Sequence, residues 1–167
     1  MSRGFVKEDD QEEIPMVPPR ANLPEGVPNY VTQTGMNELL AEKQKLTDEK
    51  DQLDSSNENE RRIALNYINA KLQLLNQRIG EAKIIQLSEQ PQHEIRFGAT
   101  VTLKTAANQQ IHTFQIVGVD EASIIKGKIS FLSPLAKVLL NKKTGEKSVL
   151  KREKDETVFE IMEIAYR

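Results

Sequence analysis

Between about residues 32 and 87 the hydrophobic positions follow a helical period that is interrupted once. In the first half Leu39, Leu46 and Leu53 recur every seven residues, which predicts a helix with a narrow apolar stripe. In the second half the apolar positions are spaced by three and four residues, at Leu65, Ile68, Leu72, Leu75, Ile79 and Ala82. Because the second stripe can cover the first, the two helices are expected to form an antiparallel hairpin.

The interruption falls at residues 54–57, an Asp-Ser-Ser-Asn sequence that is typical of turns. Asn57, followed by Glu60, matches the pattern of a helix N-cap and its partner three residues later. The tip of the hairpin is therefore predicted near residues 54–60. A first helix of about 19 residues would be about 30 Å long at 1.5 Å per residue, so the hairpin forms a probe and not a compact bundle.

After His93 the hydrophobic period changes to two, which is typical of strands. Strands are predicted around residues 95–103, 111–119, 128–131, 149–150 and 158–164. Ser133 and Pro134 are expected to open a short helix, with serine as the cap and proline in the first helical position. The fold class is therefore α+β: a helical hairpin followed by an antiparallel sheet that packs on a short helix.

Residues 1–28 differ in composition from the rest of the chain. They contain five of the seven prolines and an acidic cluster between Glu8 and Glu13. With few apolar residues to offset the entropy of ordering, this segment is predicted to be a flexible, proline-rich acidic tail. The hairpin is then assigned to residues 29–90 and the sheet domain to residues 91–167.

Composition also excludes several functions. The chain has no cysteine and two widely separated histidines, which argues against a zinc site of Cys and His ligands and excludes a thiol nucleophile. A net charge of -2 argues against broad electrostatic capture of duplex nucleic acid. No stretch approaches the roughly 18 apolar residues of a membrane span, and the acidic N-terminus lacks a signal-peptide pattern. We expect a cytoplasmic protein without membrane contact.

Four short motifs follow one another in the second half of the chain. They are Phe97-Gly98-Ala99-Thr100-Val101, Ile116-Val117-Gly118-Val119-Asp120-Glu121-Ala122, Gly127-Lys128-Ile129-Ser130 and Ser133-Pro134-Leu135-Ala136. In order and spacing they resemble the C-terminal domain of the Gre family of bacterial transcription elongation factors, and the likeness extends over about residues 30–166. The resemblance implies an FKBP-like fold for residues 91–167.

The resemblance also implies a partner and a docking loop. Gre factors bind bacterial RNA polymerase at the rim of its secondary channel, through the loop around the Ser-Pro pair, which here comprises Leu132, Ser133 and Pro134. The family often has an acidic residue before that pair, so Leu132 is a departure.

In the family, two carboxylates at the hairpin tip reach the polymerase active site and help to hold a second magnesium ion. Such a two-metal site stabilises both the attacking and the leaving oxygen when a backtracked transcript is cleaved. The polymerase performs the hydrolysis. This chain is therefore expected to be an activator and not itself an enzyme, with Mg²⁺ shared with the polymerase and no cofactor of its own.

The candidate tip acids are Asp54, Glu58 and Glu60, of which Glu58 and Glu60 would contact metal only jointly with polymerase. The family motif has an aspartate three residues before a Glu-Asn pair. Matching that pair to residues 58–59 puts Ser55 at the aspartate position, whereas a gapless match back from Lys71 puts Glu58 on the aspartate and an arginine on the glutamate. Neither match preserves both acids.

The same residues also fit a plainer interpretation. Asp54, Glu58 and Glu60 suit a solvated, capped turn equally well. Arg61 and Arg62 either approach the RNA 3′ end inside the polymerase or lie on a solvated helix face.

Three other functions stay open. The altered tip suits a non-cleaving regulator that occupies the secondary channel. A prolyl isomerase is suggested by the implied fold alone, although 5% aromatic residues and no tryptophan argue against an aromatic-lined pocket; a peptide isomerisation assay would test it. A scaffold that dimerises through residues 34–87 would scatter light as a dimer, whereas we expect a monomer because lysines 43 and 50 interrupt the first stripe.

Overall fold

The computed structural model describes residues 15–54 and 56–167. It contains three α-helices: α1 (Gln33–Asp51), α2 (Glu58–Glu81) and α3 (Pro134–Leu139). The strands are β1 (Asn29–Val31), β2 (Ala82–Ile84), β3 (Thr100–Thr105), β4 (Ile111–Val117), β5 (Lys128–Ser130), β6 (Lys147–Lys151) and β7 (Glu156–Ala165). The predicted α+β class is confirmed. Within the described residues no helix is long and apolar enough to cross a membrane.

Both hairpin helices begin at polar caps. The Thr32 hydroxyl accepts the Gly35 amide at 2.9 Å, and Asn57 Oδ1 accepts the amides of Asn59 and Glu60, both at 3.1 Å. These bonds satisfy amides that the first turn of a helix leaves without partners. α1 therefore ends at Asp51 and α2 begins at Glu58, an interval that overlaps the predicted tip at 54–60 but starts two residues earlier.

The two predicted stripes meet along the hairpin. Its core consists of five buried residues, Val31, Leu39, Leu46, Ile68 and Leu75. Met36, Leu53, Leu72, Ile79 and Ala82 pack against them. At its base, β1 pairs in parallel with β2, which joins the start of the hairpin to its end.

The C-terminal domain contains a five-stranded sheet in the order β5-β4-β3-β7-β6. Three neighbouring pairs are antiparallel, as the sequence predicts, but β4 and β5 run parallel, so the sheet is mixed. This difference arises because the loop 118–127 crosses over and brings the chain back in the direction of β4. The core below the sheet is formed by Ile95, Ala99, Val101, Leu103, Ile116, Ala136, Leu139, Leu150, Phe159 and Ile161.

The described part of the predicted tail, residues 15–28, contains no helix or strand. It nevertheless lies against the hairpin and the C-terminal domain, because Arg20 forms ion pairs with Glu42 of α1 and with Asp120. The first 14 residues lie outside the described residues. The division of the chain into tail, hairpin and sheet domain stays a prediction.

Candidate functional site

The hairpin tip is closed by Asp54. Its Oδ1 accepts the Ser56 amide at 3.0 Å and its Oδ2 accepts the Ser56 hydroxyl at 2.9 Å. Both oxygens of this candidate acid therefore accept hydrogen bonds inside the turn, which is the local pattern expected of aspartate at such a position. Ser55, the alternative match to the family's aspartate, lies outside the described residues.

Glu58 and Glu60 stand in the first turn of α2 and are exposed. Among the described residues neither carboxylate forms an ion pair. The positive end of the helix dipole favours negative charge at this position. The structure thus presents two exposed carboxylates at the far end of the hairpin.

The acidic side chains at the tip can be compared with the ligands that a metal ion requires. Over the described residues no group of three or more His, Asp or Glu side chains lies close enough together to hold a metal ion. Magnesium commonly takes only one or two protein carboxylates and completes its shell with water and phosphate oxygens. The exposed carboxylates of Glu58 and Glu60 fit such a role, and their assignment as metal ligands stays a prediction.

Two arginines follow the tip acids on α2. Arg61 and Arg62 are exposed, and Arg62 Nη2 donates to Asn59 Oδ1 at 3.0 Å. This bond ties Arg62 to the helix surface. Arg61 has no such bond among the described residues, so of the two it is better placed to meet a phosphate from outside.

The Ser-Pro loop begins helix α3. The Ser133 hydroxyl caps the helix by accepting the Ala136 amide at 3.2 Å, and Pro134 occupies the first turn. The Leu132 amide donates to Ser130 Oγ at 3.1 Å, which fastens the loop to β5. Leu132 and Ser133 are half-buried and Pro134 is exposed. The predicted docking residues thus form one short, rigid corner whose role in binding stays a prediction.

A cleft of about 1200 Å³ opens beside this corner. Its apolar lining includes Phe114, Ile129, Leu135, Leu150, Val158 and Phe159. Two isoleucines lie in the turn before β5, with Ile124 91% and Ile125 99% exposed, and Ile124 borders the cleft. The cleft has no signal in the sequence because its walls come from strands that are far apart in the chain.

Glu121 connects the hairpin to the sheet domain. Its Oε1 accepts the Thr32 hydroxyl at 2.5 Å, and its Oε2 accepts Lys128 Nζ at 2.9 Å. The residue is buried, and a Cβ at Gly35 would come within 2.6 Å of Oε1. The cap of α1 is therefore bound directly to the C-terminal domain, a role for this part of the family motif that the sequence did not reveal.

Aromatic and backbone contacts complete the junction. Tyr30 of β1 packs against Phe97 and Phe131, with ring centroids 5.8 and 5.6 Å away, and the two phenylalanine rings are 5.6 Å from each other. A Cβ at Gly118 would lie 2.3 Å from the Tyr30 carbonyl oxygen, so the two backbones approach closely there. A side chain at position 118 would collide with the backbone of β1, which explains why glycine occupies this position.

Comparison of the sequence with known proteins identifies relatives of this chain. The family model described as "Transcription elongation factor, GreA/GreB, C-term" matches residues 90–166. GreA of Neorickettsia sennetsu is 31% identical over 108 residues, covering 65% of this chain and 68% of that protein. GreA of Hyphomonas neptunium is 31% identical over 101 residues, 60% of this chain and 64% of its own. The chain therefore belongs to the GreA/GreB family of transcription elongation factors.

The likeness is incomplete in length. The alignment with Hyphomonas GreA spans 64% of that relative, and that with GreA of Pelobacter propionicus, at 36% identity, spans 60% of this chain and 63% of the relative. Among solved structures, the GreA factor homolog 1 of Thermus thermophilus matches 81% of this chain and 97% of its own at 22% identity, with a TM-score of 0.39. Family membership therefore rests on the sequence comparisons.

Proposed function

We propose that this protein binds bacterial RNA polymerase at the secondary channel and stimulates the cleavage of backtracked transcripts. The observation that carries the proposal is the pair of exposed carboxylates at the end of the hairpin, Glu58 and Glu60, which form no ion pair within residues 15–54 and 56–167. Helices of 19 and 24 residues are about 29 and 36 Å long at 1.5 Å per residue. This length separates the tip from the sheet domain, which supports a division in which the sheet domain binds polymerase and the tip assists cleavage.

In this proposal the residues have separate tasks. The corner at Leu132, Ser133 and Pro134 holds the factor on the polymerase, and the hairpin carries Glu58 and Glu60 to the active site. A Mg²⁺ ion shared there would supply charge stabilisation for the attacking and leaving oxygens. The two glutamates contribute ligand charge, and the cap at Asn57 holds them in the first turn of α2.

Exchange of the two tip acids for their amides tests the proposal. In stalled, backtracked complexes with labelled 3′-extended RNA, we expect Glu58→Gln with Glu60→Gln to lose most of the stimulated cleavage while binding polymerase as the parent does. Glu38→Gln with Glu89→Gln provides a matched control, because both residues are exposed glutamates away from the tip, Glu38 near the start of α1 and Glu89 after the hairpin. Equal cleavage by parent and tip variant would refute the assignment of the acids.

A second function is favoured by the arginine at position 61. In the gapless match to the family motif, a cation stands at the position of an acid. The two carboxylate oxygens of Asp54 already accept hydrogen bonds from Ser56. Both features suit a factor that fills the channel without assisting cleavage. Binding without faster cleavage by the parent protein would select this alternative. In that case we expect Arg61→Glu to change how much factor occupies the channel. The variant would gain cleavage activity only if Glu58 and Glu60 also bind the metal ion.

The docking corner is tested separately. Pro134→Ala and Leu132→Lys change exposed or half-buried positions of the corner, and both are expected to weaken binding to polymerase, because the lysine has the charge opposite to that of the acid common in the family. Lys104→Ala on β3 is a control away from the corner. Unchanged affinity of both corner variants in a quantitative pull-down would contradict the placement of the docking site.

A further inference from the structure

The N-terminal segment contacts both parts of the molecule through one side chain. Arg20 Nη1 and Nη2 donate to the two oxygens of Glu42 at 2.8 and 3.1 Å, and its Nε donates to Asp120 Oδ1 at 3.1 Å. Glu42 belongs to α1, whereas Asp120 belongs to the loop after β4. A single guanidinium therefore joins the hairpin to the sheet domain from outside both.

This contact differs from an ordinary surface ion pair. The side chain of Arg20 is 18% exposed and that of Asp120 is 7% exposed. The hydrogen bond with Glu42 raises the pKa of Arg20 above its usual value. The planar fork of arginine suits two-point binding to a carboxylate, which fixes direction as well as distance.

Asp120 depends on this arginine for its hydrogen bonding. Arg78 of α2 is the second cation nearby, but its Nη1 stops 3.8 Å from Asp120 Oδ2, and neither of those buried atoms has a hydrogen-bond partner within the described residues. Arg78 instead donates through Nη2 to the Ala21 carbonyl. Without Arg20, a buried carboxylate would keep a charge neighbour but lose its side-chain hydrogen bond, which is costly.

The rest of the segment follows α2. Val17, Pro19 and Leu23 line a small cleft together with Leu74 and Gln77. The segment thus contacts α2 through the Ala21 carbonyl, which accepts from Arg78, α1 through Glu42, and the sheet domain through Asp120. Its three contacts lie on three different parts of the chain.

We propose that residues 17–23 form a strap, anchored by Arg20, that fixes the angle between the hairpin and the C-terminal domain. Arg20 is then a positioning residue: it determines where the tip arrives when the docking corner is bound. The geometric claim stands on the contacts alone, whereas its importance for cleavage rests on the proposed function.

Distance measurement by electron paramagnetic resonance tests the strap in the free protein. Because the chain has no cysteine, Glu49→Cys on α1 and Lys147→Cys on β6 provide two unique, exposed sites for spin labels. The parent is expected to give a narrow distribution of label distances. Arg20→Ala should broaden or shift that distribution, and Arg20→Lys, which keeps the charge but loses the fork, should lie between the two.

Arg152→Ala is the matched control, since Arg152 is an exposed arginine that follows β6, the edge strand opposite β5, and the variant is expected to leave the distribution unchanged. Circular dichroism will show whether each variant keeps its helices. A distribution for Arg20→Ala that equals the parent's would overturn the strap. Because polymerase is absent, this outcome is independent of any failure in the cleavage assay.

A functional readout then connects the strap to the tip. At saturating factor, Arg20→Ala should lower stimulated cleavage while its affinity for polymerase stays that of the parent. Full cleavage by a variant whose distance distribution is broadened would overturn the positioning role, although the strap itself would stand.

Discussion

Carboxylates serve the two ends of the hairpin in opposite ways. At the base, the side chains of Asp120 and Glu121 are 7% and 2% exposed, and each is paired with a cation. At the tip, Glu58 and Glu60 are exposed and have no ion pair among the described residues. Buried, paired charges specify how the two parts of the molecule fit together, whereas exposed ones are available to a ligand from outside.

The largest expected effect comes from removing a base carboxylate. The side chain of Lys128 is 18% exposed, and Glu121→Ala removes its carboxylate partner. The same change removes the acceptor of the Thr32 hydroxyl. Loss of one member of a buried pair costs about 3–5 kcal/mol. We expect the free energy of unfolding, measured in urea, to fall by about that amount.

Glu121→Gln is the control for that variant, because it keeps the size of the side chain and an oxygen acceptor. It should lose less stability than the alanine variant. A loss below about 1 kcal/mol for Glu121→Ala, the size of a surface pair, would mean that the base carboxylate is not a structural link.

A smaller effect is expected where the backbones touch. Gly118→Ala would place a Cβ 2.3 Å from the Tyr30 carbonyl oxygen, and overpacking of this kind costs about 1–3 kcal/mol. Gly80→Ala in α2 is a matched control with no atom within 4 Å of its Cβ, and it should gain up to about 1 kcal/mol from helix propensity. Thermal unfolding of both variants measures the contrast. Equal melting temperatures would contradict the close approach.

The smallest effect belongs to the tip. Glu58→Gln with Glu60→Gln should change the free energy of unfolding by less than about 0.5 kcal/mol, as is usual for exposed positions. A slight loss is expected, because the helix dipole favours the charged form. Chemical denaturation of the same double variant used in the cleavage assay provides the measurement. A large loss of stability would mean that these acids serve the fold, against the proposed division between base and tip.

Local features of this fold were accessible from the sequence. The caps at Thr32, Asn57 and Ser133 depend on residues within three positions, and the heptad leucines report directly on the hairpin core. The contact between Glu121 and Thr32 could not be predicted from the sequence, because the two residues are 89 positions apart in the chain. The parallel pairing of β5 likewise depends on a crossover and not on the pattern within the strand.

The candidate sites divide in the same way. The turn that presents Glu58 and Glu60 could be placed because its cap residue precedes them in sequence. The contact of Arg20 could not, because proline content and acidity report only that residues 1–28 lack a core of their own. The side chain of Arg20 is long enough to pair with two carboxylates that are distant in sequence, and such pairs cannot be predicted from composition.

The short pair of strands at the base has a mechanical consequence. Asn29 lies opposite Ala82 and Val31 opposite Ile84, and the Ile85 amide donates to the Val31 carbonyl at 2.9 Å. The hairpin is consequently mounted on the sheet domain by two adjacent segments of backbone instead of one. Two segments resist both bending and rotation of the hairpin when a sideways force acts on its tip, whereas a single segment would allow the hairpin to rotate about it.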